Sequence, residues 1–504
     1  MMLACALAGV ETASAGELWS DGDLSVRLDT TVQFTGLRRL GARQQRLVAN
    51  PNSDDGDRNF SSGDVSNRTD VFSEFDADYG AAGVRLSGAG WYDPVYRQRN
   101  ANDSPATFNP ISVPHNRFTR AVQSLEGLDG EVLDAFVHDT FDLGGAQVGV
   151  RLGRHTLIWG ESLFFGENGI AIGQAPIDFI KSNNVPNTPA RELFLPVNQI
   201  SASVQLRPGL SIEFYDQLEW RQDRMPGVGS YFSTTDILDA GGERFIAAPG
   251  QFLYRVSDQQ PGAGGQFGAA VHVTLGDADL GVYALRYNAR SPVVTMAGCT
   301  GPCGLPGQIG TYRLVYASGI DVFGASASTF LGNDNLAGEV SVRRGAPLLA
   351  RTDLGPSSLP RGDTVHGQVS IVAERPANAI WDRATLAAEL AGNALLRTTA
   401  DSGGRDPTTT RAAAAVQGKL TFDYFHVLPA LDLSPFVAAA YGIVGRSSVD
   451  PEMVAGTGNI TIGIGATFRS VWHVEVRATD YIGSAGIQPL ADRSFFAFNV
   501  RRTF

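Results

Sequence analysis

The sequence predicts an all-β protein, a transmembrane antiparallel β-barrel of about eighteen strands with long external loops and an inserted constriction segment. A period of two recurring along the chain, connections that alternate short and long, and a last strand ending on an aromatic residue together predict it. In that strand Phe496, Phe498 and Val500 share one parity with the terminal Phe504, while Asn499, Arg501 and Thr503 occupy the other. A period of two puts one face of a strand against an apolar phase and the other against water. Arg502 interrupts the apolar parity near the end, where a charge reaches the headgroup zone at little cost. Phe496, Phe498, Val500 and Phe504 form an assembly signal of the kind that outer-membrane barrel-assembly machinery reads. Alone, this strand could also be the edge of a soluble sandwich.

From the N-terminus, residues 1–15 read as a signal peptide, with the apolar run Met2–Val10 and a small-x-small site at Ala13-Ser14-Ala15, and 16–504 as the barrel. The usual basic start of such a leader is absent. Leu24, Val26, Leu28, Val32 and Phe34 alternate with Ser25, Arg27, Asp29, Thr31 and Gln33. The same alternation runs through Phe75–Tyr79, Val84–Leu86, Val148–Leu152, Ile200–Leu206 and Ile212–Leu218. It continues through Phe267–Leu275, Val340–Val342, Leu386–Leu390, Val416–Phe422, Ile460–Phe468 and Val474–Val476. An arginine facing lipid at mid-bilayer costs about 2–4 kcal/mol. Arg27, Arg85, Arg151, Arg343, Lys419 and Arg477 therefore assign the polar parity to the lumen. Asp216 falls on the apolar parity, and a bulge would account for it.

Short turns follow the even strands, and long polar connections follow the odd ones: Leu37–Thr69, Pro94–Gly130, Gln222–Gln266 and Pro292–Tyr312. Short periplasmic turns and long external loops are the asymmetry of outer-membrane barrels. Trp220, Trp381 and Trp472 stand at strand ends, where an aromatic belt belongs. No run of apolar residues is long enough for a membrane-spanning helix. A net charge of -12 argues against nucleic acid as a partner.

The connection 156–198 is too apolar for a solvated loop. Phe164, Phe165, Ile170, Ile177 and Leu193 need cover, which folding into the lumen would supply; packing among the external loops is the other arrangement. Arg151, Arg154, His155, Trp159, Glu161, Phe164, Phe165, Asp178, Lys181 and Glu192 are the candidate lumen and constriction residues, with Arg151, Arg154 and His155 placed to pair with Glu161, Asp178 or Glu192. Cys299 and Cys303, in Gly-Cys-Thr-Gly-Pro-Cys-Gly, suit a local disulfide in an oxidising envelope. A zinc site would need further Cys or His nearby. Asp54, Asp55 and Asp57 could hold calcium but depart from EF-hand spacing, so a solvated acidic loop is preferred and no metal is assigned. Neither G-x-S-x-G nor H-E-x-x-H occurs and the seven His are scattered, so neither catalysis nor a cofactor is expected. Glu74, Asp76 and Asp78 are read as lumen carboxylates that balance arginines or line water.

Arg151-Leu152-Gly153-Arg154-His155 followed by Trp159-Gly160-Glu161-Ser162 resembles the R-x-G-R-x-x-x-x-W-G-E-S stretch of a Gram-negative outer-membrane family, domain of unknown function 1302. Asp54-Asp55-Gly56-Asp57-Arg58-Asn59-Phe60, Ala175-Pro176-Ile177-Asp178 and Asp492-Arg493-Ser494-Phe495 resemble further family segments, with Ala175 where the family has Asn. The resemblance spans the mature chain. It implies a barrel and traffic in hydrophobic or amphipathic compounds alongside an inner-membrane exporter-type pump.

The expected function is an outer-membrane channel for hydrophobic or amphipathic small molecules. A water-filled porin for small polar solutes and a closed structural or adhesion barrel are the alternatives. Expected partners are outer-membrane lipid and lipopolysaccharide, the barrel-assembly machinery, and periplasmic or inner-membrane transport components.

Overall fold

The computed structural model describes residues 16–186, 188, 190–299, 301, 303–351 and 359–504. The expected leader, 1–15, lies outside the described residues. In chain order the strands are β1 (Gly16–Asp21), β2 (Leu24–Arg39), β3 (Gly63–Tyr79), β4 (Ala82–Tyr92), β5 (Leu128–Leu143), β6 (Ala146–His155), β7 (Val197–Arg207) and β8 (Leu210–Gln217). Next come β9 (Arg244–Ala248), β10 (Gln251–Arg255), β11 (Gln266–Leu275), β12 (Ala278–Tyr287), β13 (Val293–Gly298), β14 (Gln308–Val315), β15 (Ile320–Leu331) and β16 (Asp334–Pro347). The last are β17 (Arg361–Arg375), β18 (Arg383–Ala400), β19 (Ala412–Leu428), β20 (Leu431–Val444), β21 (Gly458–Phe468), β22 (Trp472–Ile482) and β23 (Phe495–Thr503).

Eighteen of these make a closed antiparallel ring. Neighbours pair in sequence from β2 to β8, then β11, β12 and β15 through β23, and β23 closes on β2 from Thr31↔Thr503 to Arg39↔Phe495. Phe504 completes the seam, its N–H and carbonyl bonded to Thr30. β1 forms a short hairpin with the start of β2. β9, β10, β13 and β14 build a separate four-stranded sheet inside two of the long loops, so those connections are structured rather than simply polar.

The barrel strands place apolar residues on the outer face and mostly polar residues on the inner one, with exceptions at strand ends and in one inner sector. Val71, Leu86, Leu152, Ile200, Val282, Val340, Val369 and Ile462 are exposed on the outer face. On the inner face, Thr31, Gln33, Thr35, Arg68, Asp70, Glu74, Gln199, Gln217, Ser341, Arg343, Gln368 and Glu389 are buried. An exposed apolar surface of that extent is tolerable only against lipid.

The register corrects three expectations. Asp216 pairs without a bulge, opposite Ile200 and Phe267; it sits exposed on the outer face one residue from the external end of β8, where a carboxylate reaches the rim. The first long connection is shorter than expected, because Leu37–Arg39 and Gly63–Thr69 continue the strands. Trp472 lies on the outer face at the short-turn end, and Trp381 rests beside outward-facing Phe422 at 5.3 Å. Trp220 instead packs on Tyr316 at 4.9 Å and donates to Ala289 O, which draws it into the loops.

Candidate functional site: a lumen segment held by wall carboxylates

The inner face is not uniformly polar. Tyr215, Ala270, Tyr283, Leu285, Tyr287, Ile320 and Val322, on β8 to β15, form an apolar sector. Residues 156–196 fold inward and cover it. Trp159 and Ile170 join that cluster, and Phe165 packs with Ala391, Ala413, Ala415 and Met453 on the far side. Trp159, Ile170 and Phe165 thus find cover against the wall and the loop at Met453, whereas Ile158 and Leu163 remain exposed.

The backbone of the segment is held by charged wall residues. Glu389 on β18 accepts hydrogen bonds from the amides of Leu163 (3.1 Å), Phe164 (2.5 Å) and Phe165 (2.9 Å). Glu339 on β16 accepts from Glu161 N (2.7 Å) and Ile170 N (2.8 Å). Glu213 on β8 takes the indole N–H of Trp159 at 2.6 Å. In the opposite sense, Arg343 donates to the carbonyls of Glu167 and Gly169 at 2.8 and 2.9 Å. Asn168 reaches Gln368 and the carbonyls of Gly367 and Gly392, and Asn393 donates to its Oδ1. Residues 156–169 carry neither helix nor strand, and irregular backbone at membrane depth needs partners for each N–H and C=O, for which ionised side chains form the stronger bonds. In the ring order, β6 is the fifth strand and β18 the thirteenth, so the segment leaves one wall and is held almost diametrically across. Gln33 on β2 donates to Pro186 O, adding contact with a further side.

The sequence candidates fall in several places. Trp159, Glu161, Phe164 and Phe165 lie in the lumen segment. Lys181 is buried and pairs with Glu192 at 2.8 Å within the segment, and Asp178 pairs with Arg224 at 2.6 Å. The expected pairing of Arg151, Arg154 and His155 with Glu161, Asp178 or Glu192 does not occur. Arg151 lies lower in the barrel, over the ring of Phe136 at 5.8 Å. Arg154 has the outward parity, opposite Ala135 and Asn198, and bonds Pro196 O with Glu219 at 3.9 Å. His155 is buried between Ser201 Oγ and Gly153 O. Glu213, Glu339, Glu389, Arg343 and Asn168 were missed as site residues. Their signal was available in part: Glu389 stands in mid-strand with Gln417 and Ser370 directly opposite, so no basic residue pairs with it across either ladder.

Below the segment, charges face one another across the wall. Arg85 binds Asp76 at 2.6 Å with Glu74 at 3.9 Å, and Lys419 stands over the ring of Phe436 at 4.3 Å. Above it, loops 40–62, 93–127 and 218–265 turn inward and pack together. Phe60, Tyr96, Phe118, Tyr231 and Phe232 form a cap that rests on Leu37, Phe495 and Ala497 of the inner wall. Arg493 fastens this cap by donating to Asp57 (3.0 Å) and to the carbonyls of Tyr231 (2.6 Å) and Ser233. Asp54, Asp55 and Asp57 are buried here, which overturns the solvated loop expected for them. Cys299 and Cys303 are joined by a disulfide, Cα atoms 6.0 Å apart, between β13 and β14.

A closed antiparallel barrel with an apolar exterior and a charged, hydrogen-bonded interior is a transmembrane β-barrel of the outer-membrane type. The chain belongs to the family described as Protein of unknown function (DUF1302), which matches residues 1–504. No functionally curated protein matches it. Similar solved structures include OccK1 (OpdK) of Pseudomonas aeruginosa, with 10% identity and a TM-score of 0.42 over 95% of this chain and 98% of that one. OccAB1 of Acinetobacter baumannii has 9% identity and a TM-score of 0.47 over 95% and 96%. A BenF-like porin from Pseudomonas fluorescens Pf-5 has 8% identity and a TM-score of 0.44 over 96% and 98%.

Proposed function

We propose that the protein is a solute channel in the outer membrane of a Gram-negative bacterium, and that its cargo is a small amphipathic molecule. Transport, not catalysis, is the role proposed. The observation that carries the reading is the segment 156–196, which crosses the lumen on side-chain hydrogen bonds while half-exposed charges line the wall beneath it. A barrel serving only as a scaffold gains nothing from charges held in a wetted interior. The pairing of cations with aromatic faces, Arg151 on Phe136 and Lys419 on Phe436, offers one surface to an ionised head and another to an apolar body. On this reading Phe504 presents the last strand to the assembly machinery, lipid and lipopolysaccharide surround the outer face, and the short-turn mouth faces periplasmic or inner-membrane components of the pathway. The same paired charges favour a second reading, a porin for small polar solutes.

Liposome swelling separates the two. Amphipathic solutes should enter faster than neutral sugars of equal size, and equal rates would refute the amphipathic reading. Deleting Phe164–Ile180 should raise single-channel conductance; unchanged conductance in an intact barrel would refute the segment as the constriction.

A further inference from the structure

Three of the external loops converge on a set of oxygen atoms that the channel reading does not use. Asp54 and Asp55 come from loop 40–62 and Asp236 from loop 218–265, and a carboxylate oxygen from each lies within 4.8 Å of the other two. All three residues are fully enclosed, at 0%, 0% and 1% exposure. Asn109, from loop 93–127, adjoins them through its backbone N–H, which donates to Asp55 Oδ2 at 3.3 Å.

The charges around this point do not balance. Five buried carboxylates make up the group linked to Asp54 and Asp57, namely Asp54, Asp55, Asp57, Asp236 and Asp492, while Asp93 and Glu126 are buried elsewhere in the cap. Three guanidinium groups answer them. Arg58 binds Asp54, Arg39 binds Asp57 and Asp492, and Arg493 binds Asp57. Five minus three leaves two negative charges, and they fall on Asp55 and Asp236, which make no ion pair among the described residues. Arg493 acts on Asp236 from a distance but gives its hydrogen bonds to Asp57, Tyr231 and Ser233. Burying unpaired carboxylates costs several kcal/mol each.

Two oxygens are also left without donors. Asp54 Oδ1 is buried and unpartnered, its other oxygen being taken by Arg58 and Thr107. Asn109 Oδ1 is buried and unpartnered as well, in a residue of 0% exposure. Oxygen acceptors without donors beside a surplus of two negative charges are what a divalent cation requires. The donors are all hard oxygens, charged and neutral, from three separate loops, with neither His nor Cys, which suits calcium better than zinc or the stricter octahedron of magnesium.

We propose that Asp54, Asp55 and Asp236, with Asn109 beside them, hold one calcium ion that staples three external loops into the cap. Burial and mutual repulsion otherwise hold the Asp55 carboxyl well above the usual carboxylate range, and burial pushes Asp236 up to about 7. The alternative to a cation is therefore that protons neutralise the pair.

Calcium binding to the full-length protein, refolded in detergent micelles and stripped with EDTA, tests the site independently of any transport activity. Saturable uptake of one calcium per chain is expected, with affinity in the range of about 10⁻⁴–10⁻³ M typical of extracellular sites. The temperature of the heat-induced gel shift should rise with calcium and less with magnesium. Asp236→Asn should lose at least tenfold in affinity, whereas Asp277→Asn, at an exposed carboxylate in the short β11–β12 turn, should not. Should Asp236→Asn fail to refold, Asp55→Asn and the wild type with and without EDTA decide the matter. Absence of saturable binding well above ~1 mM, or unchanged affinity in the Asp55 and Asp236 variants, overturns the site in favour of the protonated pair.

Discussion

Glu389 holds the lumen segment more directly than any other side chain, so Glu389→Ala is the most informative single change. Its carboxylate receives three consecutive backbone amides, those of Leu163, Phe164 and Phe165. A hydrogen bond to a charged group contributes about 1.5–3 kcal/mol. Water can enter the space left by the side chain and satisfy part of the loss, so two bonds at the lower value, about 3 kcal/mol, is a fair expectation. At 1.4 kcal/mol per decade, that raises the population of the released segment roughly 100-fold. The ladders that join β18 to β17 and β19 are backbone bonds and do not use the Glu389 side chain, so the barrel itself should survive. Single-channel recording in planar bilayers is the assay: openings should become longer and more frequent, with the gel mobility of the folded barrel unchanged. Wild-type open probability in a correctly folded variant would show that these three bonds do not hold a closed state, and the segment would have to be a fixed part of the wall.

The cap and the loops give three further expected outcomes. Arg493→Ala removes a fully buried cation that binds Asp57 and two carbonyls; the cap should lose about 3–5 kcal/mol, read as an earlier heat-induced gel shift and faster cleavage of loop 218–265 by added protease. Burial pushes Glu126, whose Oε1 accepts from Gly227 N, up to about 7 against an ordinary value of 4.5. A carboxyl raised in the folded state favours the cap while it stays protonated, so stability should fall as pH rises from about 4.5 through 7; Glu126→Gln should make that fall shallower, the share of Asp236 remaining, and be more stable than wild type at pH 8 but not at pH 4. Mass spectrometry without reductant should find Cys299 joined to Cys303, and replacing both with Ser should leave the barrel's gel mobility unchanged, because the bond closes only the tip between β13 and β14.

The barrel was legible because lipid imposes a rule on every strand. An arginine such as Arg343 or Arg477 has one permissible face, and that face sets the parity of its neighbours. The rule weakens at the rim, which is why Asp216 looked like a fault in the pattern and Arg154 like a lumen residue. Both lie at strand ends, where water or headgroups can meet a charge on the outer face. The lumen segment announced itself by apolar content that no solvated loop could carry. Its anchors did not, because Glu339 and Glu389 look like any other polar position of a strand until the segment is laid across them. Asp54, Asp55 and Asp57 were misread for a related reason: a run of aspartates suggests water, and only the meeting of three loops removes that water.

Cap and lumen segment are joined, and this decides how the channel should open. Arg224, in loop 218–265, donates to Asp178 of the segment and to Glu131 of β5, both at 2.6 Å. The two pieces also pair through their backbones, Phe179 N to Arg224 O at 3.0 Å and Arg224 N to Ile177 O at 2.9 Å. A displacement of the cap therefore pulls on the segment through two main-chain bonds and a buried ion pair, contacts too strong to break in passing. Arg493→Ala should accordingly raise conductance although it lies far above the constriction. Combined with Glu389→Ala, it should add less than its own effect, since a segment already released has little left to gain. If the two substitutions instead multiply in full, cap and segment are separate gates in series, and the link through Arg224 carries no force.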